Sequence, residues 1–198
     1  MKCARKGCRA VVPQPATGRP RLTCSAACRA RLYRQRRKKR PAVWSSATVE
    51  WYTPESIFET IAAEHGPFDL DPCADPRSPI WPLVPHHWTR EDDGLAQPWL
   101  GRVFCNPPYG RAIAAWMRKA AAEVTAGRAH LVVCLVPART DTAWWHEAKA
   151  AGAEAHYLAG RIRFVRQDGT PGDSAGFPSA VVVFRDAATI TKGAEVST

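Results

Sequence analysis

Alternating apolar and polar positions between residues 51 and 186 predict helices and strands in turn along the chain. Three helical patterns are each followed by a glycine, which commonly terminates helices because it adopts left-handed conformations without strain. The helices are predicted to begin at Thr53-Pro54-Glu55, at about residue 111 and at Asp141, and to end near Gly66, Gly127 and Gly152.

Short apolar runs lie between and after these helical patterns. The run from Leu131 to Val136 is apolar throughout, as expected of a strand buried on both faces. Further strands are predicted at residues 68–70, 102–105, 154–158, 161–166 and 179–185. Alternating strands and helices indicate an α/β sheet flanked by helices, and the turn at 167–172 predicts a terminal antiparallel hairpin of the last two strands.

Three polar or rigid residues stand directly after predicted strands. They are Asp71, Asn106 and Pro137. In sheets of this class, ligands bind at the carboxyl ends of the strands. These positions therefore mark one edge of the sheet as the candidate site, whereas the Pro- and Trp-rich residues 72–100 between the first two are expected to be irregular.

The excess positive charge lies in a short N-terminal segment. Residues 1–40 hold 14 of the 28 Lys and Arg residues and no acid, so the other 158 residues, with all 18 acids, carry about −4. This asymmetry indicates a polyanionic partner for the first segment. No apolar run approaches the roughly 18 residues of a membrane span, so we expect a soluble, intracellular protein without membrane contact.

Four of the seven cysteines fall in this basic segment, as Cys3-x4-Cys8 and Cys24-x3-Cys28. Four thiolates complete a tetrahedral zinc site, and metal binding is favoured over disulfides inside cells. Ser25 is predicted to cap a helix that follows the second pair. We therefore predict a zinc-binding basic module over residues 1–40, joined by a linker at 41–50 to a domain at 51–186, with a frayed tail at 187–198.

The predicted helix of this module is dense in basic residues, which favours contacts with nucleic-acid phosphates over a role as a solvated tail. The candidate phosphate contacts are Arg29, Arg31, Arg34, Arg36, Arg37, Lys38, Lys39 and Arg40. Elsewhere, Cys73, Cys105 and Cys134 are expected to be buried small hydrophobes. The six histidines show no metal-ligand spacing.

The tetrapeptide Asn106-Pro107-Pro108-Tyr109 has the groups needed to methylate an amino nitrogen on a flat base. The lone pair of such a nitrogen is delocalised into the ring. An amide oxygen and a backbone carbonyl that accept its two N–H bonds would free the lone pair, and an aromatic ring can stack on the base. A Pro-rich turn with no catalytic role is the alternative.

The tetrapeptide and several flanking segments, in order, resemble the phage-type DNA N6-adenine methyltransferases, the Dam-like family of phages and prophages. The similar segments are residues 51–54, 68–74, 91–95, 105–110, 135–142, 160–164 and 177–182. The resemblance implies a Rossmann-like methyltransferase sheet, S-adenosylmethionine as cofactor and DNA as substrate. Protection of phage or prophage DNA from restriction would be the biological role.

In this family, the cofactor would be contacted by Trp51, Thr53, Pro54, Asp71, Pro72 and Asp93. Asp71 would accept from its α-amino group, and Asp92 or Asp93 would reach its adenosine. Many methyltransferases carry a glycine-rich loop after the first strand, but residues 71–75 contain no glycine, so this chain departs from that pattern. Arg139, after the central strand, is a candidate for a phosphate contact, and Asp141 is expected to cap the next helix.

Duplex DNA would have to extrude the target adenine, and the aromatic-rich residues 81–99 and the loop at 166–177 are candidates to cover it. Two other functions use related features. A protein-glutamine methyltransferase can use the same tetrapeptide, and an inactive methyltransferase domain can remain in a zinc-dependent nucleic-acid-binding protein. Cytosine N4 is a chemically adjacent target, but Asn rather than Ser at position 106 favours adenine by family analogy.

Overall fold

The computed structural model describes residues 2–4, 7–18, 20–39 and 51–186, which belong to two compact units, 1–47 and 48–198. The predicted linker at 41–50, the tail at 187–198 and Arg40 lie outside the described residues. Among the described helices, none is both long enough and apolar enough to cross a membrane.

The first unit consists of an irregular segment followed by helix α1 (Ala26–Lys39). The Ser25 hydroxyl accepts the backbone N–H of Cys28 at 3.1 Å, which confirms the predicted cap. Cys3 and Val12 are the only buried apolar residues among the described part of this unit. Such a small core cannot hold the irregular segment in place by hydrophobic burial alone.

The second unit is a six-stranded sheet with helices on both faces, as predicted. Its described helices are α2 (Glu55–His65), α3 (Ile113–Thr125) and α4 (Ala143–Ala150). Its strands are β1 (Leu70–Asp71), β2 (His86–His87), β3 (Gly101–Cys105), β4 (Ala129–Pro137), β5 (Glu154–Tyr157) and β6 (Ser179–Arg185). The strand order is β2-β1-β3-β4-β6-β5, in which β1 to β4 are parallel and β6 is antiparallel to both of its neighbours.

The central strand β4 is buried on both faces. Val132, Cys134 and Val136 pack into the core cluster that contains α3 and α4. The alternate residues Leu131, Val133 and Leu135 pack into the cluster that contains α2. This two-residue periodicity explains why the strand is a continuous apolar run.

The predicted strand at 161–166 is wrong. Residues 158–178 form a long connection between β5 and β6, so β5 and β6 make the terminal antiparallel pair. Ile162 and Phe164 are buried and alternate with exposed arginines, which produces a strand-like pattern. Their backbone carbonyls instead accept from Ala175 and Gly172 within the same connection.

The start of α2, the predicted cap of α4 and one irregular segment also differ from expectation. The N-cap of α4 is Thr142 rather than Asp141, and that of α2 is Pro54 rather than Thr53, with no side-chain cap in either helix. Residues 72–100 contain a short 3-10 helix (Trp81–Leu83) and strand β2, which extends the sheet beyond β1. Two-residue strands are too short to show a period in the sequence.

Candidate active site

The carboxyl ends of neighbouring parallel strands β1, β3 and β4 bring Asp71, Asn106 and Pro137 to one edge of the sheet. A cavity of about 340 Å³ opens there. Its lining is Trp51, Tyr52, Pro72, Cys73, Ala74, Asp75, Thr89, Arg90, Asp93, Gly94, Asn106, Pro107, Pro108 and Trp116. Cavities of about 300–1,000 Å³ are typical of small-molecule sites.

The side-chain amide of Asn106 is held in one orientation. Its Nδ2 donates to the backbone carbonyl of Trp51 at 2.6 Å. Because a carbonyl can only accept, the amide oxygen must point the other way. That Oδ1 is buried and has no hydrogen-bond donor among the described residues, so an acceptor is left available beside the cavity.

Tyr109 lies in an aromatic cluster next to the cavity lining. Its half-buried ring makes edge-to-face contacts with Phe164 and Phe177, at centroid distances of 5.8 and 5.6 Å. The hydroxyl donates to the carbonyl of Leu135 at 3.4 Å. Burial raises the pKa of Tyr109 well above its ordinary value, so the phenol remains protonated at neutral pH.

Asp71 is buried at the end of β1, 5% exposed. Its Oδ1 accepts the backbone N–H of Cys73 at 3.1 Å. Burial raises the pKa of Asp71 to about 6, and the hydrogen bond from Cys73 only partly offsets this. The hydroxyl of Thr53 is also buried, and it has no hydrogen-bond partner in the described part of the chain.

Of the six predicted cofactor contacts, Trp51, Pro72 and Asp93 line the cavity. Thr53, Pro54 and Asp71 are not part of the lining. The neighbouring aspartates Asp92 and Asp93 have different surroundings. Asp92 accepts the backbone N–H and hydroxyl of Thr89 at 2.8 and 2.7 Å. Asp93, in the left-handed region with φ 52°, faces the cavity.

A glycine does allow a close backbone approach after β1, but it comes from a different segment. A side-chain carbon at Gly94 would lie 1.8 Å from the carbonyl oxygen of Pro72, so only glycine fits. The indole of Trp99 donates to the Gly94 carbonyl at 2.7 Å. Local sequence could not reveal the contact between Gly94 and Pro72, because these residues are 22 positions apart.

Trp99 is fully buried, which corrects its place among the residues expected to cover an extruded base. Trp81 stacks on His87 with a centroid distance of 3.8 Å. In the other candidate segment, Phe177 is half-buried beside Tyr109. Trp144 and Trp145, at the start of α4, are both buried in the core, so neither is available to an interface.

Hydrogen bonds of Tyr52, which the sequence did not reveal, fix the segment that carries the Trp51 carbonyl. The hydroxyl of Tyr52 donates to Asp75 at 2.9 Å, and its backbone exchanges hydrogen bonds with Val165. Arg77 donates to the same carboxylate at 2.6 Å and holds the pKa of Asp75 down to about 2. The ionised carboxylate is therefore a lasting acceptor for Tyr52.

Cys105 and Cys134 are buried, as expected, whereas Cys73 is only half-buried and contacts Cys105. The sulfurs of Cys73 and Cys105 are 3.6 Å apart, and Cys73 also lines the cavity. Burial raises the pKa of Cys73 to about 11 and that of Cys105 well above its ordinary value. Both groups are thus neutral thiols at physiological pH, not activated nucleophiles.

The four N-terminal cysteines converge as predicted from their spacing. The sulfurs of Cys3, Cys8, Cys24 and Cys28 all lie within 4.8 Å of one another. Three of their separations are 3.4, 3.6 and 3.9 Å. A tetrahedral site with Zn–S bonds of about 2.3 Å requires sulfurs about 3.8 Å apart, so the arrangement fits zinc.

A second group that could hold a metal joins Glu64, His65 and His156, which the histidine spacing did not predict. Burial lowers the pKa of His65, so its ring is neutral. Arg185 donates to its Nδ1 at 3.3 Å, which leaves the proton on Nε2, facing Glu64 at 3.5 Å. With neither ring nitrogen able to donate a lone pair, this group is not arranged as a metal site.

The predicted phosphate contacts are only partly described. Arg29 and Arg31 are exposed on α1, and positions 34 and 36–39 lie on its backbone. Arg139 is half-buried and follows β4, at the start of the turn that leads to α4. It therefore lies at the same edge of the sheet as Asn106.

Comparison with known proteins agrees with this arrangement. Residues 43–195 match the family model described as DNA N-6-adenine-methyltransferase (Dam). A DNA N-6-adenine-methyltransferase of Escherichia phage T1 is 28% identical over 107 residues, which are 52% of this chain and 42% of the phage protein. The chain thus spans less than half the length of that relative. The family match covers the whole described sheet and its candidate site, and the chain belongs to the DNA N-6-adenine-methyltransferase (Dam) family.

Proposed function

We propose that this protein transfers a methyl group to N6 of adenine in DNA. The observation that carries the proposal is the oriented amide of Asn106, whose nitrogen is engaged by Trp51 and whose buried oxygen has no donor among the described residues. A buried acceptor without a partner is unfavourable unless a ligand supplies the donor. The family of the chain indicates that the ligand is an adenine amino group.

In the proposed reaction, the amide oxygen of Asn106 and the carbonyl of Pro107 accept the two N–H bonds of the exocyclic amine. These acceptors favour a more tetrahedral nitrogen and free its lone pair for attack. The two prolines would restrict the backbone that carries both acceptors, and Pro107 and Pro108 line the cavity. Tyr109, supported by Phe164 and Phe177, provides an aromatic surface for the base.

S-adenosylmethionine would supply an electrophilic methyl group, with no metal required. The cavity volume suits a small molecule, and the residues proposed to hold it fit its chemistry. Asp71 would accept from the α-amino group, and the unpartnered hydroxyl of Thr53 would gain a polar partner. Trp51, Pro72 and Asp93 would contact it along the cavity wall. Thr53 and Pro54 would form the segment that packs beside it.

Replacing Asp71 with asparagine should weaken cofactor binding but stabilise the protein. The folded-state pKa of about 6 lies above the unfolded value of 3.8, so ionisation opposes folding. Wild-type stability therefore falls as pH rises from about 4 to 6, and D71N escapes a loss of about 3 kcal/mol above pH 6. Denaturant unfolding and calorimetric titration with S-adenosylmethionine measure the two effects.

The matched control for this change is Glu59→Gln, which removes an exposed carboxylate from α2. It should alter neither stability nor cofactor affinity by much. Wild-type affinity should also fall as pH drops through 6, because only the carboxylate pairs with an ammonium group. If D71N bound the cofactor as tightly as the wild type at pH 8, Asp71 would have no part in the site.

The N-terminal unit is proposed to bind one zinc ion through Cys3, Cys8, Cys24 and Cys28. Four sulfurs within 4.8 Å of one another and a nearly absent core both support this. The basic helix α1 would then contact DNA phosphates without regard to sequence, through Arg29, Arg31 and the basic positions that follow. The unit would thereby tether the catalytic unit to its substrate.

A methyl-transfer assay with labelled cofactor tests the proposed function. The full-length protein is offered duplex DNA, a DNA lacking adenine and a protein mixture, and labelled bases are separated chromatographically. We expect label only in adenine-containing DNA, as N6-methyladenine. Label on protein would favour a glutamine methyltransferase, label as N4-methylcytosine would move the target, and cofactor binding without transfer would favour an inactive domain.

A further inference from the structure

The basic side chains of the second unit divide into two groups by their partners. Most are bound to carboxylates or backbone carbonyls of the same unit, as in Arg128–Glu123 at 2.6 Å and Arg118–Glu147 at 3.2 Å. Within residues 51–186, only three basic side chains make no hydrogen bond or ion pair with the described protein: Arg111, Arg161 and Arg163. All three are exposed.

These three arginines share one edge of the sheet. Arg111 lies in the loop that leaves the carboxyl end of β3, just after Tyr109. Arg161 and Arg163 lie in the connection that leaves β5, a strand that runs in the same direction as β4 because both are antiparallel to β6. This is the edge at which the candidate active site opens.

The segment carrying Arg161 and Arg163 is anchored against the catalytic motif. Its inward residues Ile162 and Phe164 are 5% and 1% exposed, and the ring of Phe164 contacts that of Tyr109. The backbone N–H of Gly172 donates to the Phe164 carbonyl at 2.7 Å, and a side-chain carbon at Gly172 would lie equally close to that oxygen. Because buried and exposed residues alternate, the two guanidinium groups point outward from an anchored backbone.

Such an arrangement suits an anionic partner of extended shape. Arginine is the residue best suited to phosphate because its planar group donates two parallel hydrogen bonds. Neighbouring Arg166 differs, since its guanidinium lies 3.4 Å from Asp173 and donates to the Pro171 carbonyl. The arginines without a protein partner therefore lie together at the edge of the candidate site, although the overall charge of this unit is slightly negative.

We propose that Arg111, Arg161 and Arg163 contact backbone phosphates of the DNA beside the target adenine. The catalytic unit would then hold DNA through a contact surface of its own, separate from the basic helix of the zinc unit. This inference rests on the proposed function only in taking DNA as the partner. Phosphate contacts fix the position of the duplex, whereas base contacts would carry the sequence preference.

Equilibrium binding of the full-length protein to a duplex, measured by fluorescence anisotropy over a range of salt concentrations, tests this surface. Arg111→Ala, Arg161→Ala and Arg163→Ala should each weaken binding several-fold. The slope of log affinity against log salt is negative, and each variant should reduce its magnitude by about 0.9, the value for one lost phosphate contact. The loss should be the same for duplexes of unrelated sequence.

Arg118→Ala is the matched control, because Arg118 is exposed on α3 but paired with Glu147. It should leave the salt slope unchanged, and all four variants should keep the wild-type melting temperature. An unchanged slope in the three test variants would overturn the inference, as would a loss confined to one DNA sequence. The binding experiment does not measure methyl transfer. A protein that bound DNA in this way but methylated none would therefore refute the proposed function and leave this inference standing.

Discussion

Replacing Asn106 with alanine should lower methyl transfer by at least about 100-fold, the usual loss when one positioned hydrogen-bonding group is removed from a transition state. The change removes the oxygen that would accept the amine N–H and the nitrogen bound to the Trp51 carbonyl. Alanine cannot replace either interaction. Single-turnover transfer with saturating cofactor and DNA measures the loss directly.

Two controls separate this chemical effect from misfolding. The N106A protein should bind S-adenosylmethionine and DNA with near-wild-type affinity, because the loss lies in kcat. Arg118→Ala breaks the exposed ion pair with Glu147 and lies outside the cavity lining, so it should retain the wild-type activity. An N106A variant that transferred methyl groups at more than a tenth of the wild-type rate would remove Asn106 from the mechanism.

Extraction of zinc should unfold the first unit and leave the second folded. Structural zinc in comparable sites contributes about 10–16 kcal/mol, and this unit buries almost no apolar surface that could replace it. Metal analysis of the full-length protein should find about one zinc per chain. Circular dichroism should show the loss of α1 after chelation, and binding to DNA should weaken with it.

Matched cysteine variants give this prediction its control. Cys24→Ser removes one of the four clustered sulfurs and should abolish zinc retention. Cys73→Ser removes a thiol outside that cluster and should leave the zinc content unchanged. Full folding of the first unit in a zinc-free protein would show that the four cysteines have no metal-binding role.

Local sequence was enough to predict the elements that depend on local patterns. The apolar run of β4 gave a strand buried on both faces, and the 3.6-residue period with its final glycine gave α3 within two residues at each end. The position of Asn106 after β3 followed from the same reasoning. These predictions held because burial on a strand or helix imposes a period that a single segment displays.

The features that sequence missed are contacts between distant segments. The approach of Gly94 to Pro72, the bond from Asn106 to Trp51 and the pairing of Cys73 with Cys105 join residues 22, 55 and 32 positions apart. No local pattern specifies such a meeting. The segment at 161–166 shows the converse, since its strand-like alternation arises from a loop anchored on the core.

The most direct test of the central claim is a map of modified bases in cells. DNA from cells that express the wild-type protein is compared with DNA from cells that express N106A at the same level. We predict N6-methyladenine in the first and almost none in the second. Equal adenine modification in both, or modified cytosine in place of adenine, would contradict the assignment of Asn106-Pro107-Pro108-Tyr109 as an adenine N6 methylation site.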